Sequence, residues 1–478
     1  MKSNISFILD NRVVYIDFEQ ERKLTPTTTV LNYLRQLPNH KGVKEGCAEG
    51  DCGACTVVIG ELENNRIRYR AVDSCLIFLP MLDGKLLVTV ENLKSPEGKL
   101  HPVQEAMIEQ FGSQCGFCTP GIIMSMFDLY KNYVCPSRSE IEDVLSGNLC
   151  RCTGYRPIVD AALKACSYWG YDHFTEEEGK LVELLKSINK ESLIIKTQLQ
   201  TYFKPSSLSE ALEFRNKHPN SIILCGATDV ALKVTKAHEL LQEIIDLSAI
   251  EELKFIEENI HEIKIGAGVV INDVRKKIIK DFPALYEMLN VFASNQIRNF
   301  ATLGGNLGTA SPIGDSLPVL MAYEASVELQ SIEGRRVVPL NEYFVGYRKT
   351  LRKDNELITK IIIPKQNNGA VIKSYKVSKR KDLDISTLSA GFKLESRNNI
   401  VQNIILAYGG MAERPKRASE TEKFLRGKSW TREVVEKAMD ILQQDFTPIS
   451  DVRGSAEFRR IAARNLILKF WNDTKLVD

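Results

Sequence analysis

The stretch that decides the fold is "GCAEGDCGAC", Gly46 to Cys55. Cys47, Cys52 and Cys55 stand there as C-x4-C-x2-C, and Cys75 follows after a gap. That is the plant-type spacing for a [2Fe–2S] cluster. Two irons bridged by sulfides need thiolates at four outer corners. One tight loop can supply three of them if its backbone folds around the cluster. Gly46, Gly50 and Gly53 give that backbone its freedom and let amide N–H groups approach the sulfurs. Structural zinc sites usually pair two short cysteine knuckles, so one asymmetric loop with a distant fourth cysteine reads as iron–sulfur.

Ten of the eleven cysteines precede residue 170, and only Cys225 lies beyond. Cys115, Cys118, Cys150 and Cys152 form a second group, C-x2-C then C-x-C, within helical sequence. "HPVQEAMIEQF" carries Pro102 near a helix start, and "CTPGIIMSMFDLY" is opened by Pro120. "SRSEIEDVLSGN" carries a Ser139 to Glu142 capping box and a stop at Gly147, and "RPIVDAALKAC" is a fourth helix. Four short helices with cysteines at their ends suit a second cluster, and spacing alone leaves zinc open as well. Cys135, Cys166 and Cys225 read as small buried or half-buried apolar residues.

The 478 residues predict three or four domains. The N-terminus reads as two strands around an Asp10-Asn11 turn. It has no signal-peptide pattern, and no run is long enough for a membrane span. The expectation is a cytoplasmic protein with reduced thiols and no membrane association. A net charge of +2 predicts no nucleic-acid partner, and "RPKR", Arg414 to Arg417, reads as solvated surface.

Residues 167–196 are charged, lack a strand period and read as a partly helical connector. Beyond them "SIILCG", "EIIDL", "EIKIGAG" and "VELQS" alternate with helical segments, an α+β pattern. No G-x-G-x-x-G follows a strand, so a Rossmann site is not supported. Two glycine turns are candidate anion nests: Ile223–Val230, "ILCGATDV", and Thr302–Asn306, "TLGGN". Each also reads as a plain turn at a strand end. "WTREVVEKAMDILQQ" and "SAEFRRIAARNLILKFW" have helical periodicity and read as core and subunit surface.

"KEGCAEGDCGACTVV", "CGFCTPG" and "GNLCRCTGYRPI" resemble the iron–sulfur part of the xanthine dehydrogenase and aldehyde oxidase family of molybdenum hydroxylases. "RNFATLGGNLGTASPIGDSLPVL", "YKVSKRKDLDIS" and "DVRGSAEFRR" resemble the flavin part of the same family. The order, two clusters then flavin with no molybdenum domain, resembles the small-subunit arrangement of bacterial xanthine dehydrogenases. The resemblance implies a multidomain α+β chain: a β-grasp ferredoxin domain over 1–90, a four-helix [2Fe–2S] domain over 91–166, a linker over 167–196, a non-Rossmann FAD-binding domain over 197–370 and a C-terminal flavoprotein domain over 371–478. The helix in "TVLNYLRQL" would cross the first sheet.

The resemblance also assigns the second cysteine group to another [2Fe–2S] cluster and matches Gln114 to a glutamine that hydrogen-bonds the molybdopterin of a neighbouring domain. It implies FAD held by Ile223, Leu224, Cys225, Gly226, Ala227, Thr228, Asp229 and Val230 and by Thr302, Leu303, Gly304, Gly305 and Asn306. Phe292 would lie against the isoalloxazine, Asp315 on the ribityl side and Lys376 near the ring, where a positive charge stabilises anionic reduced flavin. Asp229 and Tyr347 match neighbours of NAD. At the position before Asp384 the family often carries an acidic residue, and here it is Leu383, which leaves open how NAD docks.

By this resemblance a molybdenum centre on a large subunit hydroxylates a purine, hypoxanthine or xanthine to urate. Electrons pass to the Cys115 cluster, the Cys47 cluster, FAD and NAD in a heterotetramer of two small and two large subunits. The sequence offers no catalytic nucleophile or general base of its own. The competing readings are an aldehyde or N-heterocycle hydroxylase, a stand-alone redox sensor or scaffold, and a zinc-binding interaction module.

Overall fold

The computed structural model describes residues 1–21, 23–167, 172–188, 190–366 and 369–475. The chain divides into two units, one comprising Met1–Ala211, Asn220–Ile250 and Ser294–Ala301, the other Leu212–Pro219, Glu251–Ala293 and Thr302–Asp478.

The first unit opens with β1 (Asn4–Leu9) and β2 (Arg12–Asp17). Asp10 and Asn11 between them both have positive φ, 53° and 56°. A two-residue hairpin turn needs that geometry to match the twist of its strands. After α1 (Val30–Gln36), β3 (Thr56–Glu63) and β4 (Arg66–Asp73) repeat the device through Asn64 and Asn65. β5 (Leu86–Val88) closes a sheet of order β2-β1-β5-β3-β4, with β1 and β5 parallel. Thr29 caps α1 by accepting from Asn32 N, and the helix buries Val30, Leu31 and Leu34 in the core of Phe7 and Phe78. This is the expected β-grasp arrangement.

Four helices follow: α2 (Pro102–Glu109), α3 (Thr119–Asn132), α4 (Arg138–Leu145) and α5 (Arg156–Ser167). α3 is central and buried from Gly121 to Tyr130. The cap of α4 corrects the sequence reading. Ser137, not Ser139, is the N-cap, and its reciprocal partner is Glu140, not Glu142. The two boxes overlap. The earlier start gives the helix about half a turn more of backbone hydrogen bonds and still buries Ile141 and Val144.

Within the segment read as a connector, residues 168–171 and Asn189 lie outside the described residues. The rest holds helices His173–Glu176 and Glu178–Ser187, whose Phe174, Leu181, Val182 and Leu185 join the core under α3. It ends in β6 (Leu193–Lys196), a strand too short for an alternating pattern to announce it. β6, β7 (Thr201–Lys204), β8 (Ile222–Leu224) and β9 (Glu243–Asp246) form a sheet of order β6-β7-β9-β8, with β7 and β8 parallel to β9.

The second unit holds a sheet of order β10-β11-β16-β12-β13, made by β10 (Ile256–Glu258), β11 (Glu262–Gly266), β12 (Ser326–Ser331), β13 (Gly334–Pro339) and β16 (Leu357–Pro364). β14 (Phe344–Gly346) and β15 (Lys349–Thr350) form a hairpin. The C-terminal part is an antiparallel meander of β17 (Ala370–Val377), β18 (Leu388–Arg397), β19 (Ile400–Gly409) and β20 (Lys416–Arg417). Helices Arg432–Asp445 and Ala456–Thr474 bury Val435, Leu442, Ile467 and Phe470 against Phe392 and Tyr408. Every strand pairing of this unit among the described residues is antiparallel. That excludes a Rossmann layout here, as expected. Among the described residues no helix is long and apolar enough to cross a membrane.

Candidate iron–sulfur and flavin sites

The loop Gly46–Cys55 runs up to β3, and Cys75 lies in a single helical turn after β4. Gly50 and Gly53 adopt φ of 75° and 67°, the left-handed region that favours glycine. The four thiols fall into two hydrogen-bonded pairs, Cys47 with Cys52 and Cys55 with Cys75. The Cys52 S–H donates to Cys47, and the N–H groups of Glu49 and Asp51 point at the Cys47 sulfur at 3.4 and 3.3 Å. These donors lower the Cys47 thiol below its ordinary value. Cys55 and Cys75 are buried. Burial, with the charge on Cys47 adding to it, pushes the neighbouring Asp73 carboxyl up to about 8; the Cys55 thiol donates to it at 3.8 Å.

The second group pairs in the same way, Cys115 with Cys152 and Cys118 with Cys150. Cys115 and Cys152 are exposed, as are Gln114 and Arg151 beside them, whereas Cys150 is buried. Thr153 Oγ1 donates to Cys150 Sγ at 3.2 Å, and Cys150 N donates to Tyr155 Oη at 3.0 Å. Two pairs of thiols suit a two-iron cluster, in which each iron takes two. A structural zinc ion takes four ligands at one point.

The two cysteine loops meet. Leu149 N, between Asn148 and Cys150, donates to the carbonyl of Cys52 at 3.0 Å. Asn148 Nδ2 donates to the Gly53 carbonyl at 3.1 Å and to Thr56 Oγ1 at 3.2 Å. A Cβ on Gly121 would collide with the Gly53 carbonyl oxygen, and one on Gly53 with the Gly147 carbonyl. The sequence reading missed Asn148, Gly121, Asp73, Ser125 and Gln296. The signal available for Asn148 was a lone amide inside "GNLC", two residues before a ligand-type cysteine.

The helix Val230–Thr235 packs in the same core as Cys75 through Ala231, with Val230, Leu232 and Val234 against it. Before it, Ile223 and Leu224 end β8, and Cys225 is half-buried. Gly226 sits where a Cβ would collide with the Phe300 carbonyl, and Ala227 turns at φ 55°. Thr228 and Asp229 lead into Val230. Lys236, after the helix, donates to the Cys47 carbonyl at 3.2 Å and pairs with Glu49 at 3.3 Å.

In the second unit Thr302 caps the helix Leu303–Thr309 by accepting from Gly305 N at 3.0 Å. A Cβ on Gly304 would overlap Ala267. Asn306 accepts from Ser316 Oγ at 2.5 Å. Next to Ser316, buried Asp315 pairs with buried Lys376 at 2.9 Å and accepts from Ser386 Oγ at 2.6 Å. Lys376 also donates to the Val291 carbonyl at 2.7 Å, which places it beside Phe292. The structure therefore brings Asn306, Asp315, Lys376 and the Phe292 segment into one network. Tyr347 stands exposed between β14 and β15. Asp384 closes its own loop: burial works against its charge, yet Arg380, donating through N and Nε at 2.8 and 2.7 Å, holds its carboxyl below the usual range. Leu383 beside it is buried at φ 70°, an unfavourable conformation for a leucine.

Four family models match the chain in order. They are the 2Fe-2S iron-sulfur cluster binding domain over 16–79, the [2Fe-2S] binding domain over 89–163, the FAD binding domain in molybdopterin dehydrogenase over 196–366 and the CO dehydrogenase flavoprotein C-terminal domain over 373–474. The chain is 32% identical over 94% of its length to xanthine dehydrogenase/oxidase of Gallus gallus and covers 39% of that protein. It is likewise 32% identical to xanthine dehydrogenase 1 of Arabidopsis thaliana, over 93% of this chain and 38% of that one. It thus spans about two-fifths of the length of these curated relatives. Among solved structures, one titled as a carbon monoxide dehydrogenase from Hydrogenophaga pseudoflava lacking the Mo-pyranopterin moiety is 27% identical at a TM-score of 0.54, over 57% of this chain and 96% of the other. Quinoline 2-oxidoreductase from Pseudomonas putida 86, 23% identical over 59% of this chain and 100% of the other at a TM-score of 0.53, shares the fold. With both iron–sulfur domains and both flavoprotein domains present in order, the chain belongs to the molybdenum hydroxylase family of oxidoreductases, as the region that binds two [2Fe–2S] clusters and FAD.

Proposed function

We propose that this chain is the electron-transfer subunit of a xanthine dehydrogenase, working with a molybdenum-cofactor subunit on one side and NAD on the other. The observation that carries the reading is the direct contact of the two cysteine loops, the second group with Cys115 and Cys152 exposed and the first with Cys55 and Cys75 buried. When bound, the clusters pass electrons singly and FAD exchanges them singly or as a hydride, so the set links a two-electron oxidation on the partner to reduction of NAD.

The chain's own residues have distinct roles. Cys47, Cys52, Cys55 and Cys75 hold one cluster, and Cys115, Cys118, Cys150 and Cys152 the other. Gln114, exposed beside Cys115, faces the partner's pterin. FAD is held by Ile223–Val230, by Thr302–Asn306, and by Phe292, Asp315 and Lys376. Lys376 keeps a positive charge in a buried network, which favours an anionic reduced ring. Asp229 and Tyr347 neighbour NAD. The domains divide near residues 90, 166, 196 and 370. The subunits pair as two small and two large in the cytoplasm. Relatives named for xanthine favour a purine as the partner's substrate.

The test is to purify the chain with whatever large chain accompanies it and measure iron, acid-labile sulfide, FAD and xanthine-dependent NAD reduction. About four irons, four sulfides and one FAD per chain are expected, with two irons per cluster. Full cofactors with an aldehyde or another heterocycle as the only substrate would move the reading to a sister enzyme. Zinc without sulfide would overturn it.

A further inference from the structure

The geometry points to Asn148 as a positioning residue that sets the gap between the two cysteine loops, locked from behind by Ser125 and Gln296. The inference rests on the electron-transfer reading above. Asn148 is buried, with its amide split between two jobs. Its donor side, Nδ2, holds the first loop at the Gly53 carbonyl, 3.1 Å, and Thr56 Oγ1, 3.2 Å. Its acceptor side, Oδ1, receives Ser125 Oγ of α3 at 2.6 Å and Gln296 Nε2 at 2.8 Å. Gln296 Nε2 also reaches Ser125 Oγ at 2.9 Å. Ser125 and Gln296 are both fully enclosed.

The neighbouring side chains of the helix Asn295–Arg298 grip the same unit. Asn295 donates to Asp128 at 3.0 Å, Arg298 to Asp143 at 2.6 Å, and Asn299 to the Ala71 carbonyl at 2.9 Å. Rotating this buried amide would set Oδ1 against the Gly53 carbonyl and Nδ2 against the Ser125 and Gln296 donors, so it fixes one orientation. One residue further on, Leu149 N meets the Cys52 carbonyl at 3.0 Å. The register of Asn148 therefore sets that bond, and with it the separation of a ligand-bearing residue of each loop. Electron tunnelling falls exponentially with distance, so this residue controls the rate between the two centres without touching either.

The experiment uses the full chain with its clusters, reduced and frozen, for electron paramagnetic resonance. The variants are Asn148→Asp, Asn148→Leu and Gln296→Leu. Asn148→Asp keeps the acceptor side and loses the donors to Gly53. The expected result is full iron and sulfide, unchanged g values for each reduced cluster, and loss of the mutual splitting and relaxation enhancement in both Asn148 variants. Gln296→Leu is expected to weaken them. The wild-type magnetic interaction in Asn148→Asp at full cluster content would overturn the inference. So would cluster loss in both Asn148 variants combined with an unaltered interaction in Gln296→Leu, because the node would then be only structural. An unsubstituted chain without iron and sulfide would overturn the electron-transfer reading itself.

Discussion

Breaking the buried pair Lys376–Asp315 tests whether the flavin half is organised around charge. The two side chains are 5% and 7% exposed and 2.9 Å apart. At that distance and an effective dielectric of about 20 their attraction is roughly 6 kcal/mol, and desolvating each ion costs several kcal/mol, so the net contribution of the intact pair is small. Removing one partner is a different matter. Lys376→Met leaves the Asp315 carboxylate buried with the Ser386 hydroxyl, and Asp315→Asn leaves the Lys376 ammonium with the Val291 carbonyl. Each single variant should lose about 3–5 kcal/mol, the usual cost of an uncompensated buried charge. The double variant should fall no further than either single one, a coupling of about 3–5 kcal/mol. Urea unfolding followed by tryptophan fluorescence reads the second unit through Trp430 and Trp471, and bound FAD is measured in parallel. Strict additivity, with the double variant at the sum of the singles, would refute the reasoning.

Three further outcomes follow from the geometry. Gly121→Ala gains about 1 kcal/mol of helix propensity, but its methyl meets the backbone of Gly53 and Ala54, which cannot step aside. A net loss of about 1–2 kcal/mol and a fall in the sulfide of the first cluster are expected, read by sulfide assay and thermal melting. Arg459 is buried and donates to the Thr387 and Gly410 carbonyls and to Asp451 at 2.6, 2.7 and 2.7 Å. Arg459→Met should cost about 3–5 kcal/mol and release FAD, because Thr387 adjoins Ser386; unchanged melting and FAD content would count against it. For pH, burial, with the charges of His173 and Lys131 adding to it, lowers His101 below its ordinary 6.5 even against Asp172 at 3.0 Å, and Val103 N donates to Nδ1. A lowered folded value gives stability that is complete above pH 6.5 and lost as pH falls through the folded value. Asp172, held low by His101 and Lys131 despite its burial, adds a further loss below pH 3.8. The difference in melting midpoint between the chain and its His101→Gln variant should be constant above pH 6.5 and change as pH falls below it, which separates His101 from the other titrating groups.

The parts of this molecule legible in its sequence are those whose physics is local. The cysteine spacing is a property of one loop, and the Asp10-Asn11 turn and the Pro102 and Pro120 helix starts are decided within a few residues. The α4 cap was misread because Ser137 and Ser139 both carry a glutamate three residues on. β6 was missed because four residues cannot display an alternation. The network of Asn306, Ser316, Asp315, Lys376 and Ser386 joins residues 10 to 71 positions apart, so no window of sequence contains it. The family resemblance supplied Asp315 and Lys376; only the structure shows that they face each other rather than solvent.

The same distinction explains why the residues that join the two cysteine loops escaped notice. A ligand cysteine is recognised by its own chemistry, but a residue that sets a gap is recognised only by what stands on each side of it. Asn148, Gly53 and Gly121 are ordinary residues in isolation. Gly53 and Gly121 are forced by the close approach, because a methyl would fill the space, and Asn148 is the side chain whose amide spans the junction, donating to Gly53 on one side and accepting from Ser125 and Gln296 on the other. An electron carrier needs its centres close and its solvent excluded. Both demands fall on the backbone between the ligands. It follows that substitutions at such junction positions should alter the communication between centres before they alter the binding of either, the opposite order from substitutions at the cysteines.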